Sequence, residues 1–244
     1  MKKFINQIIT SKYIIGLNGS TTYIFDLNGA LVKTLKDIKY VGKAYVSKDE
    51  RVLCLKSTDT YLAFYDLNSF DLINKISFKK CHQPQDEGCV FDTNNNFINL
   101  QYTDRLTTDV VLYNYDTYVE VQRYAYNTGV VLETIDILNN EIFIVGFIRP
   151  NKEDFGLDEI KKYIFKFKDG KLKGFEITNK DYIIFTKLRN GIYSTEREQD
   201  VEYMKKQYGF KDEEIKLVDF SNLHLLWNKY KDAENYIIEK PTNL

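Results

Sequence analysis

The residues of this chain that could do chemistry are few and scattered. Four carboxylates, Asp92, Glu133, Asp136 and Asp181, lie in or beside short apolar runs. Two carboxylates facing each other across a sugar act as acid and base in glycoside cleavage, so these four are the catalytic candidates. They share no motif, and carboxylates also serve as turn formers and strand ends. Histidine occurs only as His82 and His224, too few for a well-stocked nucleophilic triad. Cys81-His82 with Cys89 is the one cluster of metal-ligating types. Its spacing is not that of a zinc knuckle and no second pair follows, so no metal is expected. There is no GxxxxGK[ST] or GxGxxG run, and no nucleotide cofactor is expected.

The elements that must position any site are hairpins. TYLAFYDLNSFDLINKISF (60–78) alternates apolar residues on both sides of Asp66-Leu67-Asn68-Ser69, whose side chains bond their own backbone and favour a turn. TTYIFDLNGALVKTL (21–35) repeats the Phe-Asp-Leu-Asn turn with Gly29, and DVVLYNYDTYVEVQRY (109–124) keeps the aromatics around Tyr115-Asp116. KKYIFKFKDGKLKGFEI (161–177) turns at Asp169-Gly170, the strongest short hairpin signal in the chain. EEIKLVDFSNLHLLWNKY (213–230) reads as a fifth copy, with His224 and Trp227 in its outer strand. The copies are about 40, 48, 52 and 52 residues apart, the period of propeller blades.

Two further strand-like runs precede each hairpin, among them YIIFTKL (182–188) and GIYSTE (191–196) before the fifth. The expected fold is therefore all-β: one β-propeller of five four-stranded blades filling residues 1–244. The blades fall near 3–37, 38–79, 87–126, 128–178 and 181–231, with 232–244 as a C-terminal extension. In that extension NYIIEK (235–240) is left over as an extra edge strand covering a blade.

The long connections are 79–87, 103–108, 149–160 and 197–212. In an up-and-down meander all four emerge on one face. The last carries a short helical insertion in the final blade: Asp200 is the expected N-cap, Val201, Met204 and Tyr208 recur at helical spacing, and Gly209 is the stop. As a surface insertion, it should be removable without loss of the fold.

The Phe25-Asp26-Leu27-Asn28-Gly29 and Tyr65-Asp66-Leu67-Asn68-Ser69 turns, each followed by an apolar strand, resemble the hairpin of bacterial WD40-like and quinoprotein-like propeller repeats. The resemblance carries no functional residues, and with a single tryptophan it implies no quinone cofactor.

Charge selects no partner class. Lys plus Arg number 34 and Asp plus Glu 35, so no net field gathers nucleic acid or anionic lipid. No run approaches the length of a membrane helix, and Lys2-Lys3 is followed too soon by Asn6, Gln7 and Lys12 for a signal peptide. Cytoplasmic location is the expectation, and three cysteines are no disulfide framework. Cys54 reads as a small buried hydrophobe, while Cys81 and Cys89 flank a polar loop.

The functional expectation is a non-catalytic interaction module, monomeric, presenting its long loops to a protein partner. The contact residues are Phe155, Tyr203, Met204 and Tyr208 as apolar anchors, with Arg105, Arg149 and Arg197 as polar contacts. The alternative is a carbohydrate-binding protein or glycoside hydrolase with Asp92, Asp136 and Asp181 near the propeller axis.

Overall fold

The computed structural model describes residue 4 and residues 6–78, 85, 87–92, 96–103, 107–126, 129–149, 160–216, 222–233 and 236–242. The chain divides into two compact units, residues 1–105 with 110–123, and residues 106–109 with 124–244.

The first unit holds three four-stranded antiparallel meanders. The first is β1 (Asn6–Ile9), β2 (Tyr13–Leu17), β3 (Thr22–Asp26) and β4 (Leu31–Leu35). The second is β5 (Val41–Val46), β6 (Val52–Ser57), β7 (Tyr61–Asp66) and β8 (Leu72–Ser77). The third is β9 (Cys89–Phe91), β10 (Asn96–Tyr102), β11 (Thr108–Asn114) and β12 (Glu120–Tyr124).

Side-chain alternation explains how these sheets stack. In β6 and β7, Leu53, Leu55, Ala63 and Tyr65 join a core with Ile15, Leu17 and Ile24 of the first sheet. Their neighbours Val52, Cys54, Leu62 and Phe64 join a separate core with Cys89, Phe97, Val111 and Tyr113 of the third. A strand buried on both faces must read as a continuous apolar run, which is why VLCL and YLAFY lack polar alternation. Cys54 is fully buried, as a small hydrophobe should be.

The three outer hairpins share one turn chemistry. Asp26 accepts from the Asn28 and Ala30 N–H groups at 2.9 and 2.8 Å. Asp66 accepts from those of Asn68 and Ser69 at 2.7 and 2.9 Å. Asn114 does the same for Asp116 and Thr117 at 3.0 and 2.8 Å. Each turn also needs a left-handed residue: Gly29 supplies it in the first, but Phe70 (φ 61°) and Tyr118 (φ 57°) supply it in the others. Those two rings reach back to the preceding sheet, Phe70 to Tyr13 at 5.2 Å and Tyr118 to Phe64 at 4.7 Å. The aromatic contact offsets part of the cost of about 1–3 kcal/mol for placing such a residue there.

The second unit is built on one larger sheet: β13 (Val130–Leu138), β14 (Glu141–Ile148), β15 (Lys161–Lys168), β16 (Lys171–Ile177) and β17 (Tyr236–Glu239), in that order. The expected turn at Asp169-Gly170 forms with both φ angles positive (50° and 76°). The residual C-terminal strand does add to a sheet edge, with Phe175 opposite Tyr236.

The fifth blade is where expectation and structure part. Among the described residues, 179–230 is helical rather than stranded: α1 (Asn179–Tyr182) runs into a π-helix (Ile183–Leu188), then α2 (Glu198–Tyr208), α3 (Asp212–Lys216) and α4 (Leu223–Tyr230). The run YIIFTKL is helical because Thr178 caps it, its hydroxyl accepting from the Asp181 N–H at 3.2 Å. Asn222 caps α4 through the His224 N–H at 2.8 Å. His224 and Trp227 thus sit on a helix, and Trp227 packs between Phe143 and Phe175 of the sheet.

The helix expected near Asp200 is present and stops at Gly209 (φ 67°), but it starts three residues earlier, with Arg197 at the N-cap position. Asp200 is not its cap, because its carboxylate accepts from the Ser194 N–H at 2.8 Å and pairs with Arg197 at 2.7 Å. Met204, Phe210 and Ile215 are buried. The segment is therefore part of the core of the second unit and not a removable surface insertion.

Candidate functional site

Phe143, Val145 and Phe147 alternate onto one face of the five-stranded sheet. Helix α4 lies against this sheet, touching Phe143, while Tyr182 of α1 meets Phe147 at 6.4 Å. Beside Phe147 lies a pocket of about 270 Å³, lined by Glu133, Phe147, Ile160, Lys162, Asn179, Tyr182, Ile183, Lys187 and Tyr208.

Two irregularities of the backbone aim polar side chains into it. The β13–β14 register shifts between Leu132 and Thr134, so Glu133 is a bulge residue. The bulge needs Gly146 opposite, since a Cβ there would stand 2.2 Å from the Val131 carbonyl oxygen. On the other side, the Arg189 N–H bonds the Ile184 carbonyl at 3.1 Å, five residues back, and this wider turn carries Lys187.

The pocket's polar groups engage one another. The Tyr182 hydroxyl donates to Glu133 Oε2, and Lys187 Nζ stands 3.5 Å from Glu133 Oε1. The Lys162 and Lys187 ammonium groups lie 5.7 and 5.8 Å from the Tyr182 ring centroid.

Next to the pocket mouth, Tyr208 belongs to a tyrosine cluster. Its ring is 6.0 Å from that of Tyr203, which is 5.7 Å from that of Tyr193. Burial pushes the Tyr208 and Tyr193 phenols upward, reinforced by the neighbouring phenols, so they stay protonated at neutral pH. Tyr203 is 45% exposed and Ile192 52%. Arg197 is held beside them by Asp200 and by the Ile192 carbonyl at 2.8 Å.

The expected contact residues divide accordingly. Arg197, Tyr203 and Tyr208 come together on this cluster. Met204 faces inward and is fully buried, so it supports the helix rather than presenting a surface. Arg149 is half-buried, with its guanidinium 5.3 Å from the Phe147 ring centroid. Arg105 and Phe155 lie outside the described residues, as do Cys81 and His82. Of the cluster, Ile192 and Tyr193 were missed because GIYSTE read as a strand.

The carboxylates are each engaged locally. Asp92 accepts from the Asn96 backbone N–H at 2.8 Å. Asp136 pairs with Arg189 at 3.1 Å and accepts from the Leu223 N–H at 3.2 Å. Asp181 is buried beneath Lys229 at 2.7 Å, the Thr178 hydroxyl and the Tyr230 hydroxyl. Burial alone would lower the Lys229 ammonium; the Asp181 carboxylate more than offsets it and raises it. Glu133 is the only one of the four that lines the pocket.

The first unit carries a buried polar seam. Lys56, 1% exposed, donates to Asn99 Oδ1 at 2.8 Å and to the Leu100 carbonyl at 2.7 Å, with Glu87 at 3.9 Å. Cys89 lies on the same Asn99, and burial pushes its thiol up to about 11, with Lys56 acting in the opposite direction. These thiols are structural rather than reactive.

No helix among the described residues is long and apolar enough to cross a membrane. No protein-family model matches the chain, and no curated protein matches it. Solved structures do. Hydrazine synthase of Kuenenia stuttgartiensis matches with a TM-score of 0.56 at 10% identity, over 70% of this chain and 53% of that one. The WD40 domain of Toxoplasma gondii coronin matches with a TM-score of 0.50 at 11% identity, over 70% and 44%. The Neurospora crassa Pan2 WD40 domain matches with a TM-score of 0.45 at 12% identity, over 67% and 48%. The chain spans about half the length of these structures. The likeness is one of fold: four antiparallel meanders of the kind that form the blades of WD40-type β-propellers.

Proposed function

We propose that this chain is a non-catalytic protein-interaction module, working as a cytoplasmic monomer, and that its contact surface includes the tyrosine cluster of α2. The observation that carries the proposal is the grouping of Tyr193, Tyr203 and Tyr208 with Ile192 and Arg197. Tyrosine and arginine dominate interface hot spots because they combine a large apolar area with directional polar groups. Here two ring contacts and an ion pair hold them in place before any partner arrives, which lowers the entropy lost on binding. The five-stranded sheet under the helices gives such a surface a base, and Asp92, Asp136 and Asp181, the carboxylates of the alternative reading as a carbohydrate-binding protein or glycoside hydrolase, each hold a local hydrogen bond or ion pair.

The test is affinity capture from a lysate of the source cells, comparing the native chain with the double variant Tyr203→Ser, Ile192→Ser. Both residues are exposed enough for the variant to keep its fold, which circular dichroism checks. A protein retained by the native chain and lost by the variant supports the assignment. Identical captures, or none, overturn it.

A further inference from the structure

We infer that the pocket between the β13 bulge and the π-helix is a binding site for a small amphipathic organic anion, a carboxylate on an apolar or aromatic body. This does not rest on the tyrosine surface.

Two backbone irregularities converge on one cavity. A β-bulge places Glu133 there and a π-helix places Lys187 there. Features of both kinds concentrate at functional sites because each redirects a side chain at a local cost that ordinary packing does not require. Gly146 makes the bulge sterically feasible, so the irregularity is built in from two strands.

The charged groups of the lining select the ligand. Among the described residues these are the ammonium groups of Lys187 and of Lys162, which donates to the Ile160 carbonyl, and the carboxylate of Glu133. That carboxylate accepts from the Tyr182 hydroxyl at Oε2, and its other oxygen stands 3.5 Å from Lys187 Nζ. A lysine ammonium carries three donors. Among the described residues, the acceptor beside Lys187 is Glu133 Oε1 at 3.5 Å, too long for a full hydrogen bond. Lys187 therefore retains donor capacity for an incoming carboxylate.

Besides Asn179 and Tyr208 the remaining walls are apolar: Phe147, Ile160 and Ile183 are all at least nine-tenths buried. An anionic head at Lys187 thus leaves its hydrocarbon body against these three side chains. At about 270 Å³ the cavity lies at the small end of the range for ligand sites, suited to a metabolite-sized molecule.

The experiment uses three probes that share one body and differ in the head group: 4-phenylbutyrate, its neutral amide, and 4-phenylbutylamine. Each is titrated calorimetrically into the full chain. Binding of the carboxylate at least tenfold tighter than of the amide or the amine supports the site. Lys187→Gln should then weaken the carboxylate at least tenfold and leave amide binding unchanged, while Lys187→Arg retains it. Equal binding of the three probes, preference for the amine, or no binding of the carboxylate at millimolar concentration overturns the proposal. The head-group comparison needs no variant, so a Lys187 substitution that fails to fold does not remove the test.

Discussion

The middle sheet of the first unit is covered on both faces by other sheets, whereas the sheet of the second unit has helices on the face that carries Phe143 and Phe147. The difference lies in what the covering element demands. A sheet packed on a sheet needs flat, alternating apolar side chains along its strands, and the result is a closed seam with Lys56, Glu87 and Asn99 locked inside. A helix on a sheet meets it along a stripe, and where the stripe ends a cavity remains. Space remains in both units: Ile76, Gln101, Tyr113 and Arg123 line a cavity of about 490 Å³ in the first, but the helices of the second bring Tyr182 and Lys187 together with Glu133 around theirs.

The seam can be broken first. Lys56→Met removes the buried ammonium that donates to Asn99 Oδ1 and to the Leu100 carbonyl. A hydrogen bond to a charged group contributes about 1.5–3 kcal/mol. In a Cys81→Ser background, Cys54 and Cys89 should react with a thiol reagent at a correspondingly lower urea concentration. Unchanged reactivity would show that the seam is not what holds these strands. In the second unit, Gly146→Ala forces a methyl group onto the Val131 carbonyl, and overpacking of this kind costs about 1–3 kcal/mol. Fluorescence of Trp227, the one tryptophan, should report the lower midpoint from within the sheet–helix core.

The smallest effect sharpens the comparison through pH. Glu50 ties the first two sheets by accepting from the Ser11 N–H at 2.9 and 3.0 Å, and the Ser11 hydrogen bonds hold its carboxyl below the ordinary value of 4.5. A depressed carboxylate contributes stability that is present above its unfolded value and lost as pH falls through its folded value. Glu50→Gln should therefore lower the urea midpoint at pH 7, and the gap from the native chain should narrow as pH falls below the ordinary value of 4.5. A gap that does not narrow with acid would assign the effect to packing instead.

How much of this was legible in the residues follows the same division. The Asp26, Asp66 and Asn114 turns declare themselves because one side chain satisfies two backbone donors, a local chemistry independent of the rest of the fold. The strands between them declare themselves by their repetition. The run from Tyr182 to Leu188 does neither: a short continuous apolar stretch has no period, and helix and strand bury it equally well. The informative signals were the Thr178–Asp181 pair and the i, i+3, i+4 spacing of Leu223, Leu226 and Trp227, both helical. Of the pocket, Glu133 was visible as a carboxylate of the right type. Its partners were not, because Lys187 and Tyr182 lie about fifty residues further along the chain and only tertiary packing brings them to it.

The left-handed aromatics Phe70 and Tyr118 bear on how the chain is made. Each ring docks on the sheet that precedes its own in the sequence, Phe70 on Tyr13 and Tyr118 on Phe64. A ribosome delivers the chain in that same order. Each hairpin tip thus emerges with its docking site already synthesised, and the junctions of the first unit can close one after another during translation without waiting for the C-terminal half.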